Sequence, residues 1–275
     1  MVRTTDFQNK WALITGASSG IGAALARELA AHGANLILTA RRRDRLDALA
    51  AEFAAKAPDT RPDTRINTRI DTRIVVADLN DPSAPQQIFD ATEGAGLVVD
   101  ILVNNAGLGN FGAFVTNNAD QESTMVRVNC EAVVRLSHLF IPRMVERRRG
   151  WVLVVASSAS FQPVPYLSTY AATKAFDRFF ALGVAAEVAK FGVKITALCP
   201  GTTESEFFEV AGAGRFRSRD LQSAEDVARI AIRALARGQR TISPKLSGKL
   251  RSFLVRFLPV NLITALVEKF ARPKA

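Results

Sequence analysis

Tyr170 and Lys174 stand four residues apart in the segment STYAATKAFDRFF (168–180), with only small residues between them. If this segment is helical, the two side chains share one face of the helix. A free tyrosine has a pKa of about 10, and a neighbouring lysine ammonium favours the phenolate and lowers that value. Such a phenol can exchange a proton with a substrate oxygen. The alternative is a half-buried aromatic residue beside a solvated lysine.

A second group of residues suited to chemistry follows the short apolar segment WALIT (11–15). The sequence TGASSGIG (15–22) has glycines that allow a sharp turn and a close approach of the backbone to a ligand. The helix that follows would present unpaired N–H groups to a pyrophosphate. The pattern predicts a dinucleotide-binding loop between a strand and a helix. Its residues are Gly16, Ser18, Ser19, Gly20, Ile21 and Gly22.

The segment LTARRRD (38–44) predicts which dinucleotide binds. Dinucleotide folds usually place an acidic residue after the second strand, where it accepts hydrogen bonds from the ribose hydroxyls of NAD, and Ala40 stands there instead. An arginine at this place pairs with the 2′-phosphate of NADP. We therefore predict NADP(H), with Arg41 as the main contact and Arg42 assisting it. The alternative is an ordinary basic start to a surface helix.

Apolar strand-like segments alternate six times with helix-like segments along the chain. The strands are short and rich in Val, Ile and Leu, which is typical of a parallel sheet covered by helices on both faces. We therefore predict an α/β doubly wound fold, whose ligands bind outside the carboxyl ends of the strands. The predicted strands are 11–15, 35–40, 73–79, 99–107, 150–158 and 193–201, and the predicted helices are 20–33, 41–57, 82–96, 120–148 and 168–191.

Composition limits the possible partners. The 275 residues are 48% hydrophobic and carry a formal net charge of +10, so a full core is possible and an anionic partner is favoured. Cys130 and Cys199 are too few for a disulfide framework and lack metal-ligand spacing, so we expect two buried thiols and no metal. The polar start and the absence of a long apolar run predict no signal peptide and no spanning helix. We expect a cytoplasmic protein, with membrane-surface contact left open.

Seven short motifs occur in the order in which one enzyme family has them, and the chain resembles the short-chain dehydrogenase/reductases over roughly residues 10–240. The resemblance implies a Rossmann-type sheet of about seven strands, with the seventh near RTIS (240–243). The motifs are TGASSGIG (15–22), ADL (77–79), NNAG (104–107), VNCEA (128–132), SS (157–158), YAATK (170–174) and PG (200–201).

The resemblance also implies roles for individual residues. Ser157 would polarise a carbonyl, Tyr170 would be the general acid or base, and Lys174 would lower its pKa and bond the nicotinamide ribose. Asn129 would hold a water in the proton relay. Asp78 and Leu79 would border the adenine, Asn105, Ala106 and Gly107 the adenosine side of the cleft, and Pro200, Gly201, Thr203 and Ser205 the nicotinamide.

Three segments depart from the alternating pattern. DTRPDTRINTRIDTRI (59–74) is a tetrapeptide repeat that we interpret as a loop insertion before the third strand. Residues 204–218 resemble a substrate lid with Gly212 and Gly214 as flexible points. Residues 245–275 predict one or two amphipathic helices with a basic face, which would cover the substrate, touch a membrane surface or meet a partner. We expect a catalytic domain over 1–244 and this extension over 245–275.

The predicted substrate side is apolar and aromatic, so we favour a hydrophobic ketone or aldehyde, a 3-oxoacyl group of lipid metabolism among them. The residues are Phe161, Val164, Tyr166, Phe207 and Phe208. A non-catalytic NADP-binding sensor and a membrane-surface protein are the alternatives. No interleaved aromatic and basic stripe indicates nucleic-acid binding. The family resemblance implies a homodimer or homotetramer, paired through 120–148 and 168–191.

Overall fold

Seven parallel strands form one sheet in a computed structural model that describes residues 7–55, 70–212, 221–245 and 253–272. The strand order is β3-β2-β1-β4-β5-β6-β7, so the chain winds outward in both directions from β1 and β4. The strands are β1 (Trp11–Thr15), β2 (Asn35–Ala40), β3 (Thr72–Val76), β4 (Val99–Asn104), β5 (Gly150–Val155), β6 (Val193–Leu198) and β7 (Thr241–Ile242). This is the Rossmann-type α/β fold predicted from the sequence.

Helices cover both faces of the sheet. They are α1 (Gly20–Ala31), α2 (Arg43–Ala55), α3 (Ala84–Asp90), α4 (Ala119–Val126), α5 (Ala132–Glu146), α6 (Ser168–Val188), α7 (Phe207–Val210), α8 (Ala224–Ala236) and α9 (Val260–Ala271). Strand residues alternate between two apolar clusters because successive side chains point to opposite faces. Ile14 packs with α1, α2 and α8, whereas Leu13 packs with α3, α5 and α6. All six residues of β4 and of β5 are buried.

One predicted helix contains an irregularity that the sequence pattern does not show. Residues 119–146 are helical throughout, but a wider π turn at Arg127–Glu131 separates α4 from α5. The side chain of Asn129 accepts a hydrogen bond from Leu108 N (2.8 Å) and donates to Leu108 O (3.0 Å). A π turn inserts one residue into a helix, and here the insertion accompanies a buried polar side chain that serves the neighbouring loop. Apolar periodicity alone does not reveal such an insertion.

The three unusual segments are described in part. Of the tetrapeptide repeat, residues 59–69 lie outside the described residues, and its last copy enters β3 at Thr72. Residues 213–218 of the predicted lid, Gly214 included, also lie outside them. The extension is described as a short turn at Val255–Phe257 and as α9, which begins after Pro259. None of the helices that the structure describes has the length and apolarity needed to cross a bilayer.

Candidate active site

A cleft of about 620 Å³ opens along the carboxyl edge of the sheet. It is lined by all the residues predicted to bind the dinucleotide, by Ser157, which follows β5, and by Tyr170 and Lys174 of α6. These residues are far apart in the sequence and meet because parallel strands end at one edge. Asn129 does not line the cleft: it is fully buried behind Leu108 and also donates to Thr173 Oγ1 at 2.9 Å.

The loop after β1 is shaped for close contact with a ligand. Gly16 and Gly20 have φ of +65° and +53°, which L side chains rarely adopt. A Cβ on Gly22 would stand 2.2 Å from Gly16 O, so only glycine fits there. Asn105 Nδ2 donates to Thr15 O at 2.8 Å and so ties the loop to the end of β4. The residues of the first turn of α1, Gly20, Ile21 and Gly22, line the cleft.

The arginines after β2 connect this loop to the segment after β6. Arg42 Nη2 donates to Ser18 Oγ (3.1 Å) and Ser19 Oγ (3.0 Å), and Arg42 Nη1 donates to Glu206 Oε2 (3.0 Å). Arg45 also pairs with Glu206. Hydrogen bonds from Arg45 and then Arg42 hold the pKa of the Glu206 carboxyl below its usual value. A carboxylate thus occupies guanidinium donors at the predicted adenosine-phosphate end of the cleft.

Lys174 has two buried partners. Its Nζ donates to Val155 O at 2.8 Å and to Asp177 Oδ2 at 2.9 Å. Burial acts to lower the pKa of Lys174, but the charge of Asp177 and the phenol of Tyr170 raise it, and the net direction is upward. Burial raises the pKa of Asp177, against the effect of Lys174. Lys174 is therefore held as an ammonium ion beside Tyr170.

Tyr170 and Ser157 face the cleft from neighbouring elements. Ser157 follows the end of β5, where its Oγ accepts a hydrogen bond from Ala159 N at 3.1 Å. Tyr170 lies in the first turn of α6 and is half-buried, and its ring centroid is 5.1 Å from that of Phe207. A phenol, a hydroxyl and an ammonium on one wall can polarise a carbonyl oxygen and exchange a proton with it.

The far end of the cleft is apolar. Three of the five predicted substrate-side residues line the cleft: Val164, Phe207 and Phe208. The other two do not. Phe161 packs under the guanidinium of Arg178, and the hydroxyl of Tyr166 donates a hydrogen bond to Glu268. Helix α9 also contributes two side chains to the cleft, Val267 and Phe270, and neither was predicted from the sequence as a cleft residue. Their spacing on an amphipathic helix was the available signal, but it did not say which side chains would meet the cleft.

The two thiols take no part in this wall. Cys199 is buried just after β6, as predicted, whereas Cys130 is only half-buried, with its Sγ 3.9 Å from Thr173 O. Burial raises the pKa of Cys130 to about 12 and that of Cys199 to about 11. Both groups are therefore neutral at physiological pH and poorly nucleophilic.

Comparisons with known proteins agree with this geometry. The family model for short chain dehydrogenases matches residues 10–215. A very-long-chain 3-oxoacyl-CoA reductase from Danio rerio is 34% identical over 195 residues, 70% of this chain and 58% of that protein, so the chain spans little more than half of this relative's length.

Two solved structures are similar over nearly the whole chain. A short-chain dehydrogenase from Sphingobium yanoikuyae in complex with NADPH is 29% identical, with a TM-score of 0.76 over 91% of this chain and 96% of that one. A bulky-bulky ketone specific alcohol dehydrogenase from Comamonas testosteroni is 28% identical, with a TM-score of 0.71 over 91% and 95%.

Proposed function

Because the chain belongs to the short-chain dehydrogenase family of oxidoreductases, we propose that it interconverts a hydrophobic ketone or aldehyde with its alcohol, using NADP(H). The observation that carries this proposal is the meeting of Ser157, Tyr170 and Lys174 on one wall of a cleft whose other end is a glycine-rich phosphate loop. Neither feature alone would indicate the reaction. Together they supply a cofactor cradle and a proton donor within one space.

The residues present fit a dinucleotide phosphate. Gly22 permits the tight loop between β1 and α1, because a Cβ there would meet Gly16 O, and the first residues of α1 line the cleft where a pyrophosphate would bind. Arg41 and Arg42 line the same end and directly follow β2, where Ala40 stands in place of the acidic residue that would bind ribose hydroxyls. Guanidinium groups bind phosphate through charge-assisted hydrogen bonds, which supports NADP(H) over NAD(H).

The dinucleotide would supply the hydride when bound, and the protein stabilises the negative charge that develops on the carbonyl oxygen. Ser157 and Tyr170 donate hydrogen bonds to the carbonyl oxygen, and Tyr170 passes its proton to that oxygen as negative charge develops. The ammonium of Lys174 stabilises the phenolate that Tyr170 then carries. The water relay predicted through Asn129 stays a prediction, since that side chain lies behind the cleft wall.

An apolar end of the cleft supports a hydrophobic substrate. It is formed by Val164, Leu167, Phe207, Phe208, Val210, Val267 and Phe270. The basic residues that line the cleft, Arg41, Arg42 and Lys174, belong to the cofactor end or the catalytic wall, so the apolar end has no cation from the described residues for a carboxylate. The names of two relatives, a very-long-chain 3-oxoacyl-CoA reductase and a bulky ketone dehydrogenase, point the same way.

A test is the oxidation of NADPH by a series of ketones of increasing chain length, with wild type and Tyr170→Phe. We expect kcat/KM to rise with chain length and to fall about 10²- to 10⁴-fold in the variant, with NADPH affinity retained. Turnover that survives in Tyr170→Phe would reject the proton-transfer role. NADPH binding without turnover on any ketone would favour the non-catalytic sensor instead.

Assembly as a homodimer or homotetramer stays a prediction from the family. The outer faces of α5 and α6 carry exposed apolar side chains that support it, among them Val134, Phe176 and Phe179. Phe176 also stacks on Phe180 at 5.8 Å between ring centroids. Sedimentation velocity over a range of protein concentrations measures the assembly directly.

A further inference from the structure

Helix α9 and the turn before it expose an apolar surface, which we call the tail surface. Its members are Phe253, Phe257, Leu258, Leu262, Leu266 and Phe270, all of them exposed. Phe257 is 70% exposed and Phe270 is 79% exposed. Single exposed apolar residues are ordinary, but a cluster on one short segment marks a binding surface.

Only part of the apolar surface of α9 packs against the rest of the protein. Ile263 and Ala271 are buried, and Val267 packs against the small cluster that contains Leu167 and Ala171. Glu268 on the polar side accepts a hydrogen bond from Tyr166 Oη at 3.1 Å, which fixes the rotation of the helix. The row Leu262, Leu266 and Phe270, spaced by four residues, is therefore left facing outward.

The positive charge of the chain favours an anionic lipid surface over a second copy of the chain as the partner of the tail surface. Residues 245–275 contain seven lysines and arginines and one glutamate, within a chain of net charge +10. A second copy of the chain would bring like charge against like charge. An anionic lipid surface offers both an apolar layer for the exposed row and negative headgroups for the basic residues.

We propose that the tail surface docks on the surface of an anionic lipid bilayer. Phe270 belongs to the exposed row and also lines the apolar end of the cleft, as does Val210, which is 72% exposed. Docking would thus bring the substrate end of the cleft to the bilayer. A hydrophobic carbonyl compound would then enter from the lipid; this last step rests on the proposed function, whereas docking itself does not.

The test is flotation of the full chain with vesicles of phosphatidylcholine alone or mixed with phosphatidylserine. We expect binding to the mixed vesicles, weakened by salt, and at least a tenfold loss of binding for Leu266→Glu. Val98→Glu is the matched control, because Val98 is similarly exposed (40% against 49%) and precedes β4 at the opposite edge of the sheet. Both variants should keep the wild-type melting temperature and kcat/KM for a water-soluble ketone.

Two outcomes would overturn the docking proposal. One is that the wild-type chain does not bind the mixed vesicles, or that Leu266→Glu binds them as well as the wild type does. The other is a wild-type dimer that Leu266→Glu alone converts to monomer, which would assign the tail surface to a second copy of the chain. Flotation needs no turnover, so an inactive protein that binds vesicles would reject the proposed function and leave docking standing.

A separate observation concerns the buried carboxylate of Asp177. It lies one turn beyond Lys174 on α6 and is 1% exposed, and within the described residues its Oδ1 has no hydrogen-bond partner. The ionisable groups that interact with its charge are Lys174 and the two neutral thiols, while Tyr170 interacts with Lys174 and Arg178 with Cys199. The guanidinium of Arg178 lies over the rings of Phe161 and Phe179, at 4.4 Å from each centroid.

We infer that Asp177 is a positioning residue that holds the ammonium of Lys174 and offsets part of its charge. Oδ2 and Val155 O together fix the position of Nζ. The positive potential at Tyr170 is then smaller than Lys174 alone would produce, because opposite charges a few ångströms apart largely cancel at a distance. The inference rests on the proposed function of Tyr170.

The test is the pH profile of kcat/KM for alcohol oxidation, which requires the phenolate form of Tyr170. In Asp177→Asn the side chain keeps its shape but loses its charge, so we expect the acidic limb to move about one pH unit lower. If Asp177 had a purely structural role, Asp177→Asn would change the melting temperature but not the pH of the acidic limb. Identical pH profiles of kcat/KM for the wild type and Asp177→Asn would overturn the inference. If the wild-type protein oxidised no alcohol at all, that result would reject the proposed function instead.

Discussion

Two ion pairs stand at opposite ends of one cleft, and they differ in burial. At the adenosine end, Arg42 and Glu206 each expose 40% of their side chains. At the catalytic end, Lys174 and Asp177 expose 6% and 1%. The exposed pair is screened by water and can exchange partners, so a ligand phosphate can replace the carboxylate at small cost. The buried pair has no solvent to replace either partner, so it is a fixed part of the fold.

The largest expected effect comes from breaking the buried pair. Lys174→Met leaves the Asp177 carboxylate buried without a cation, and we expect a loss of about 3–5 kcal/mol in the free energy of unfolding. Activity should fall about 10²- to 10⁴-fold, because the phenolate of Tyr170 loses its stabilising charge. Urea denaturation and steady-state kinetics measure the two losses.

This variant should also acquire a distinctive pH dependence. The pKa of Asp177 is raised by burial already in the wild type, and without Lys174 that effect is unopposed. A carboxyl whose folded pKa is raised binds more protons in the folded state, so stability falls as pH rises from the usual value of 3.8 toward the raised one. The double variant Lys174→Met, Asp177→Asn should recover stability but not activity. If the double variant were no more stable than the single one, the unpaired charge would not be the cause.

The next largest effect should come from the arginines of the exposed pair. If the protein binds NADP(H) as proposed, Arg42→Ala would remove charge-assisted hydrogen bonds to the 2′-phosphate, so we expect the ratio of kcat/KM for NADPH over NADH to fall about 10- to 100-fold. Arg41→Asp should lower the ratio as well, since Arg41 lines the same end of the cleft. An unchanged ratio in both variants would show that the phosphate is bound elsewhere or is not required.

A smaller effect of opposite sign should follow the loss of the carboxylate. Glu206→Gln frees Arg42 and Arg45 from an internal anion, so we expect NADPH to bind a few-fold more tightly and NADH to bind as before. Glu204→Gln is the matched control, because that side chain is exposed on the same segment and no ion pair is described for it. Isothermal titration calorimetry with both dinucleotides measures the change, and weaker NADPH binding in Glu206→Gln would contradict it.

The two ion pairs also show which features of the site can be predicted from local sequence patterns and which cannot. The phosphate loop and the Tyr170–Lys174 pair depend on neighbours in sequence, so their motifs predict them, whereas the sheet of about seven strands was implied by the family resemblance and its strand order was not predicted. The contact of Arg42 with Glu206 joins residues 164 positions apart and depends on how the segment after β6 folds back. Asp177 lies three residues after Lys174 and was visible in the sequence, but its burial depends on the packing of α6 against the sheet. Tertiary contacts of this kind have no periodic signature.

The smallest expected change concerns the two thiols, of which Cys199 is buried and Cys130 half-buried. With pKa values of about 12 and 11, only about 10⁻⁴ of Cys130 and 10⁻³ of Cys199 would be thiolate at pH 8. We expect no labelling of the native protein by a disulfide reagent within minutes, and labelling of both cysteines after unfolding. Rapid reaction of Cys130 alone would show that the contact between the π turn and α6 opens in solution. Lys174 and Asp177 would then be exposed to water as well, and the contrast between the two ion pairs would be lost.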